Sequence, residues 1–93
     1  MHVAVVRCEC FIFMAQSLKD KRSVVKSIVT RMRQRLNVSV AETDHQNVWQ
    51  RAELTIAAVG SSRQSVETEL QKALDLLDRH GEAERTLTDW EWV

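Results

Sequence analysis

A chain of 93 residues, 44% hydrophobic and 28% charged, has the make-up of one globular domain near the lower size at which a core suffices. No apolar run approaches the roughly 20 residues that span a bilayer, and Arg7 and Glu9 interrupt the N-terminal run where a secretory signal is unbroken, so a cytoplasmic location is expected. Zero net charge conceals a dipole: residues 1–60 hold nine Lys/Arg against five Asp/Glu and residues 61–93 four against eight, which excludes a uniform polycation.

The alternation over residues 3–13 predicts a strand. Ala4, Val6, Cys8, Cys10 and Ile12 share one face; Val3, Val5, Arg7, Glu9, Phe11 and Phe13 share the other. Cys8 and Cys10 form a lone C-x-C whose Cα atoms, two apart on a strand, stand near the distance limit for a disulfide; with no second pair for metal, they read as small apolar core residues. Ser17 and Asp20 then offer a capping box for a helix whose stripe is Leu18, Val25, Val29, Met32 and Leu36, with Ile28 at its edge and Asn37 as its stop. "VSVAETD" and "RAELTIAAV" read as two strands of a hairpin joined by "HQNVWQ". Gly60, Ser61 and Ser62 lead into a second helix with Val66, Leu70, Ala73, Leu74 and Leu77 inward and Gly81 as its C′ residue. The ending "AERTLTDWEWV" alternates again, with Trp90 and Trp92 on one face.

This order, βαββαβ over a single domain of residues 1–93, predicts an α+β ferredoxin-like sandwich. Its four-stranded antiparallel sheet carries both helices on one face. The even side of the first strand faces the helices. The open face would then carry Val3, Val5, Phe11, Phe13 and one or both of Trp90 and Trp92, a surface suited to a second copy in a homodimer. Aromatic residues there also suit base stacking, but the G-F-G-F type of signature is absent, and packing against another chain is the favoured reading.

Two stretches carry candidate chemistry. In "ETDHQ", Glu42 and Asp44 project from one side of a strand with His45 at its end, a set that suits metal ligation or acid–base work. The spacing matches no specific pattern, and hydrogen bonding within a hairpin explains the same residues. No metal, cofactor or catalytic residue is therefore assigned. No nucleophile elbow or Gly-rich phosphate loop is present either. The first helix holds seven of the thirteen basic residues. Lys19, Arg22, Lys26 and Arg33 fall on one flank of its apolar stripe and Arg31 and Arg35 on the other. Such side chains snorkel along a core edge, or they track the phosphates of RNA. Trp49, Gln50 and Arg51 in the connection would extend that surface.

"SLKDKR" and "VAETDHQNVWQRA", within residues 17–59, closely resemble the core of the YlxP-like family, small bacterial proteins catalogued as a domain of unknown function. The alternating first strand and the "WEW" ending fit as well, so the resemblance covers the chain almost end to end. Phe13 departs from it, standing where the family's usual strand ending "LHLP" has proline. The resemblance implies a ferredoxin-like fold. Its genes lie among translation genes, beside ribosome-binding factor A and initiation factor two, which implies a role in ribosome assembly or translation. It supplies no catalytic residues to carry over. Within the two motifs the positions of interest are Lys19, Lys21, Arg22, Asp44, His45, Gln46, Trp49, Gln50 and Arg51. The combined expectation is a non-enzymatic accessory protein, bound to RNA or the ribosome through the basic helix and the 45–51 connection. The alternative is a homodimeric interaction module that uses the open sheet face.

Overall fold

A computed structural model describes all of residues 1–93. The elements are β1 (His2–Phe11), α1 (Leu18–Arg35), β2 (Ser39–Asp44), β3 (Arg51–Gly60), α2 (Arg63–Asp78) and β4 (Glu84–Trp92). The sheet is antiparallel throughout, in the order β2-β3-β1-β4, so the long strands β1 and β3 are central and β2 and β4 form the edges. Both helices pack on one face, which is the ferredoxin-like α+β sandwich that the element order predicts.

From Ala4 to Cys10 the even side of β1 is buried, and β3 answers it with Ala52, Leu54, Ile56 and Ala58. α2 lays Val66, Leu70, Ala73, Leu74 and Leu77 onto this surface. Full burial of each large aliphatic side chain stabilises the fold by about 2 kcal/mol. Cys8 and Cys10 are free thiols within this core. The hydrogen bond with Cys8, and burial, push the Cys10 thiol far above its ordinary value. Both helices start on serine caps: Ser17 Oγ accepts from Asp20 N at 3.0 Å and Ser62 Oγ from Ser65 N at 3.1 Å. The Asp20 carboxylate completes its side of the box one residue early, on Gln16 N.

Several expectations shift. The buried stripe of α1 is Lys21, Val25, Ile28 and Met32, with Leu18, Val29 and Leu36 only half-buried. Lys21 takes a core-facing position, where its charge pairs with Glu42 and it donates to the His45 carbonyl. α2 ends at Asp78 with Arg79 as its C-cap, so Gly81, at φ 86, lies one residue beyond the C′ position. Gly60 is required by proximity: a Cβ there would stand 2.7 Å from Ser65 Oγ and 3.0 Å from Val66 Cγ2. Trp90 and Trp92 are not on the open face. Trp90 pairs with Val6 and Trp92 with Ala4, and directly opposed residues of an antiparallel pair share a face. Both tryptophans therefore belong to the helix side, where Trp92 packs on the core and its ring lies 4.0 Å under the Arg63 guanidinium at the start of α2.

Candidate functional site

α1 keeps its polar side in solvent. Lys19, Arg22, Lys26, Arg31, Arg33 and Arg35 are all exposed. None of the six forms an ion pair, and the one acid of the helix, Asp20, is engaged at the N-terminus. Arg33 alone is tied down, donating to Val40 O at 2.8 Å. The neighbouring α2 carries Glu67, Glu69, Asp75 and Asp78 against Arg63 and Lys72. The dipole of the sequence thus becomes two adjacent helices of opposite charge.

Lys21 does not belong to that surface. Its side chain is fully buried, its ammonium pairs with Glu42 on β2, and it donates to the His45 carbonyl at 2.8 Å. Lys21 is thereby withdrawn from any contact with RNA or a partner. The pairing gives Glu42 Oε2 a counter-charge but no well-directed hydrogen bond. The register of β2 shifts between Glu42 and Asp44, so Glu42 opposes buried Leu54 while Asp44 opposes Glu53. The two acids expected on one side lie on opposite faces, and the Glu42/Asp44/His45 triad does not assemble. The physical reason is a bulge, which breaks the period-two alternation that sequence spacing assumes.

His45 opens the connection in the left-handed region, at φ 64. Asp44 Oδ1 accepts from His45 N at 2.7 Å, and the His45 carbonyl accepts from Val48 N at 3.0 Å, closing a turn. Its ring reaches across the sheet to β1, with Nε2 2.8 Å from Glu9 Oε1. Arg51 Nη2 meets both oxygens of Glu9, at 3.0 and 3.1 Å. The His45 contact first, and Arg51 second, hold the Glu9 carboxyl below its usual range. A carboxylate held ionised makes Nε2 the donating nitrogen of the ring. Arg51 Nη2, 3.3 Å from Nε2, is then a neighbour and not a hydrogen-bond partner. At the far end of the connection, Ile12 N donates to Gln50 O at 2.8 Å, and Gln50 Nε2 donates to Phe13 O and Ala15 O at 3.3 and 3.4 Å. His45, Gln50 and Arg51 are thus structural ties. Gln46, Val48 and Trp49 are left facing solvent, with Trp49 53% exposed.

The open sheet face is more polar than its first strand implies. Glu9 and Glu53 oppose one another directly, and each like charge is relieved by a diagonal arginine: Arg51 on Glu9 and Arg7 on Glu53 at 3.5 Å. Thr43 adds hydrogen bonds to Glu53 and Thr55 at 2.8 and 2.7 Å. Val3 and Val5 are half-buried at one end. Phe11 and Phe13 stand exposed at the other with ring centroids 6.1 Å apart. Glu9 is the residue that sequence reasoning passed over. An acid on the odd face of an otherwise apolar strand was the available signal, but its partners depend on register.

The sequence matches the family model described as "Protein of unknown function (DUF503)" over residues 3–90. The chain belongs to the DUF503 family. It is 48% identical over 90 residues to the Uncharacterized protein YlxP of Bacillus subtilis (strain 168), covering 97% of this chain and 98% of that one. Two solved structures share the fold at low identity. A dimeric ferredoxin-like protein from an uncultured marine organism has a TM-score of 0.54 and 16% identity, over 100% of this chain and 96% of that one. The de novo designed protein Foldit4 has a TM-score of 0.53 and 14% identity, over 100% and 97%.

In this DUF503 chain the two motifs that carry the YlxP-like resemblance meet in space. Lys21 of "SLKDKR" is held by Glu42 and His45 of "VAETDHQNVWQRA". No three His, Cys, Asp or Glu side chains are grouped to hold a metal ion. No helix is long and apolar enough to cross a membrane.

Proposed function

We propose that this DUF503 protein is a non-enzymatic accessory factor that binds RNA, free or within the ribosome, through the solvent face of α1. One observation carries the reading: six exposed cations along one helix without a carboxylate partner. Snorkelling along a core edge explains Arg33, which caps a strand carbonyl, and leaves the other five free for phosphates. Exposed Trp49 and Gln46 add stacking and hydrogen-bonding groups at the end of the molecule near the start of α1. The gene neighbourhood of YlxP-like proteins points the same way. The test is co-sedimentation with ribosomes and direct RNA binding across a salt series. Each phosphate contact lowers the slope of log K against log salt by about 0.7 to 0.9, so affinity falls steeply with salt. Binding that is absent at low salt, or indifferent to salt, overturns the reading.

A second reading is supported by the uncovered sheet face: a homodimer closed through Val3, Val5 and Phe11, with the Arg7–Glu53 and Arg51–Glu9 pairs keeping that face near neutral. The marine ferredoxin-like protein is itself described as dimeric. The two readings are compatible, since such a dimer leaves both copies of α1 in solvent.

A further inference from the structure

The polar side of α1 has an internal order that a simple phosphate-tracking surface does not require. Ser23, Thr30 and Gln34 are exposed along its crest, on the side opposite the buried Lys21, Val25, Ile28 and Met32. Ser27 lies beside them, half-buried and 3.4 Å from His80. Cations flank the crest on both sides. Lys19, Lys26 and Arg22 lie on the flank shared with Arg33, which reaches β2, while Arg31 and Arg35 lie on the flank toward α2.

We propose that this crest seats in the minor groove of an A-form RNA duplex, a substrate class that rests on the RNA-binding reading above and narrows it. A groove is bordered by two phosphate rows, and a helix lying in it needs cations on both flanks. A lone strand needs only one row. The A-form minor groove is wide and shallow and displays 2′-hydroxyls, whereas the major groove is too deep and narrow for side chains to read. Serine, threonine and glutamine at the crest supply short donors and acceptors for those hydroxyls and let the helix backbone come close. The crest has no aromatic residue to stack an unpaired base. Trp49 is off the crest, because its connection joins α1 at Lys21, on the opposite side of the helix, and it meets only RNA that extends past the helix start. The one acid of α1, Asp20, stands at the helix start, where it accepts from Gln16 N, and none follows it along the crest from Ser23 to Gln34.

The experiment compares binding of the full chain to an RNA duplex of about 16 base pairs, the span of minor-groove-reading modules, with the DNA duplex of the same sequence and with either RNA strand alone. The RNA duplex is expected to bind about tenfold tighter than both. Ser23→Ala with Thr30→Val, both at exposed positions, should erase the preference for RNA over DNA duplex while leaving the salt slope in place. Arg31→Gln should instead flatten the slope by about one. Equal or tighter binding of the single strand, or equal binding of the RNA and DNA duplexes, overturns the duplex inference and leaves the RNA-binding reading intact. No binding of any nucleic acid at low salt overturns both.

Discussion

His45 is a residue whose backbone and ring are used in different directions. Its φ of 64 is costly for most side chains, and the conformation is held by Asp44 and Val48 on the main chain and by Glu9 on the ring. Asparagine tolerates that region and valine does not. His45→Val should therefore be roughly 1–2 kcal/mol less stable than His45→Asn in urea unfolding, although both remove the ring. Glu9 makes a pH prediction of definite sign. Its carboxyl is held below the usual 4.5 by His45 and Arg51, so its contribution to stability is fully present above that pH and is lost as pH falls through the lowered value. Urea midpoints of the native chain and Glu9→Gln should converge under acid conditions and separate toward neutrality. A separation that persists unchanged below the lowered value would refute the pairing. At Gly60 a methyl group meets Ser65 Oγ, already bonded to Ser62 O, and Val66, which is buried. Gly60→Ala should cost about 1–2 kcal/mol, read as a lowered melting temperature.

At the scale of elements, the buried Lys21–Glu42 pair decides how α1, β2 and the 45–50 connection fit together. Lys21 contributes one ammonium to two elements at once, pairing with the Glu42 carboxylate and donating to the His45 carbonyl. Removing one partner of a buried pair leaves the other charge uncompensated, so Lys21→Met should destabilise the chain by about 3 kcal/mol. Lys21→Met combined with Glu42→Leu should recover most of that loss, because an apolar pair of similar volume avoids the stranded charge. A double variant no more stable than the single one would show that the His45 carbonyl contact matters more than the ion pair. In this chain each of the two motifs of the YlxP-like resemblance supplies half of one buried contact. Lys21 enters the candidate set through the "SLKDKR" motif, although its helical spacing with Val25, Ile28 and Met32 places it on the buried stripe. What spacing does not report is the partner, a carboxylate from another strand, that lets a lysine occupy such a position.

Over the whole molecule, charge and apolar surface are sorted onto different sides. α1 is basic, α2 is acidic, and the open sheet face holds mutually paired charges between two apolar ends. If that face closes a homodimer, Phe11→Asp or Val5→Asp should give a monomer in analytical ultracentrifugation. A native chain that is already monomeric at tens of micromolar would dispose of the dimer. Trp92→Asp is a test of folding and not of association, because Trp92 packs on the core under Arg63.

By itself the sequence determined the elements and their order, since hydrophobic periods of two and of 3.6, serine caps and well-placed glycines are local properties. It also determined the fold class and the family, because the βαββαβ order admits few topologies and the two motifs are long. Tertiary structure decided what local spacing cannot carry. Strand register turned Trp90 and Trp92 to the helix side and brought Glu9 to His45 and Arg51. A bulge in β2 parted Glu42 from Asp44. A long-range charge partner drew Lys21 inside. Each outcome depends on which residue of another element stands opposite, and that is settled only when the sheet pairs and the helices dock.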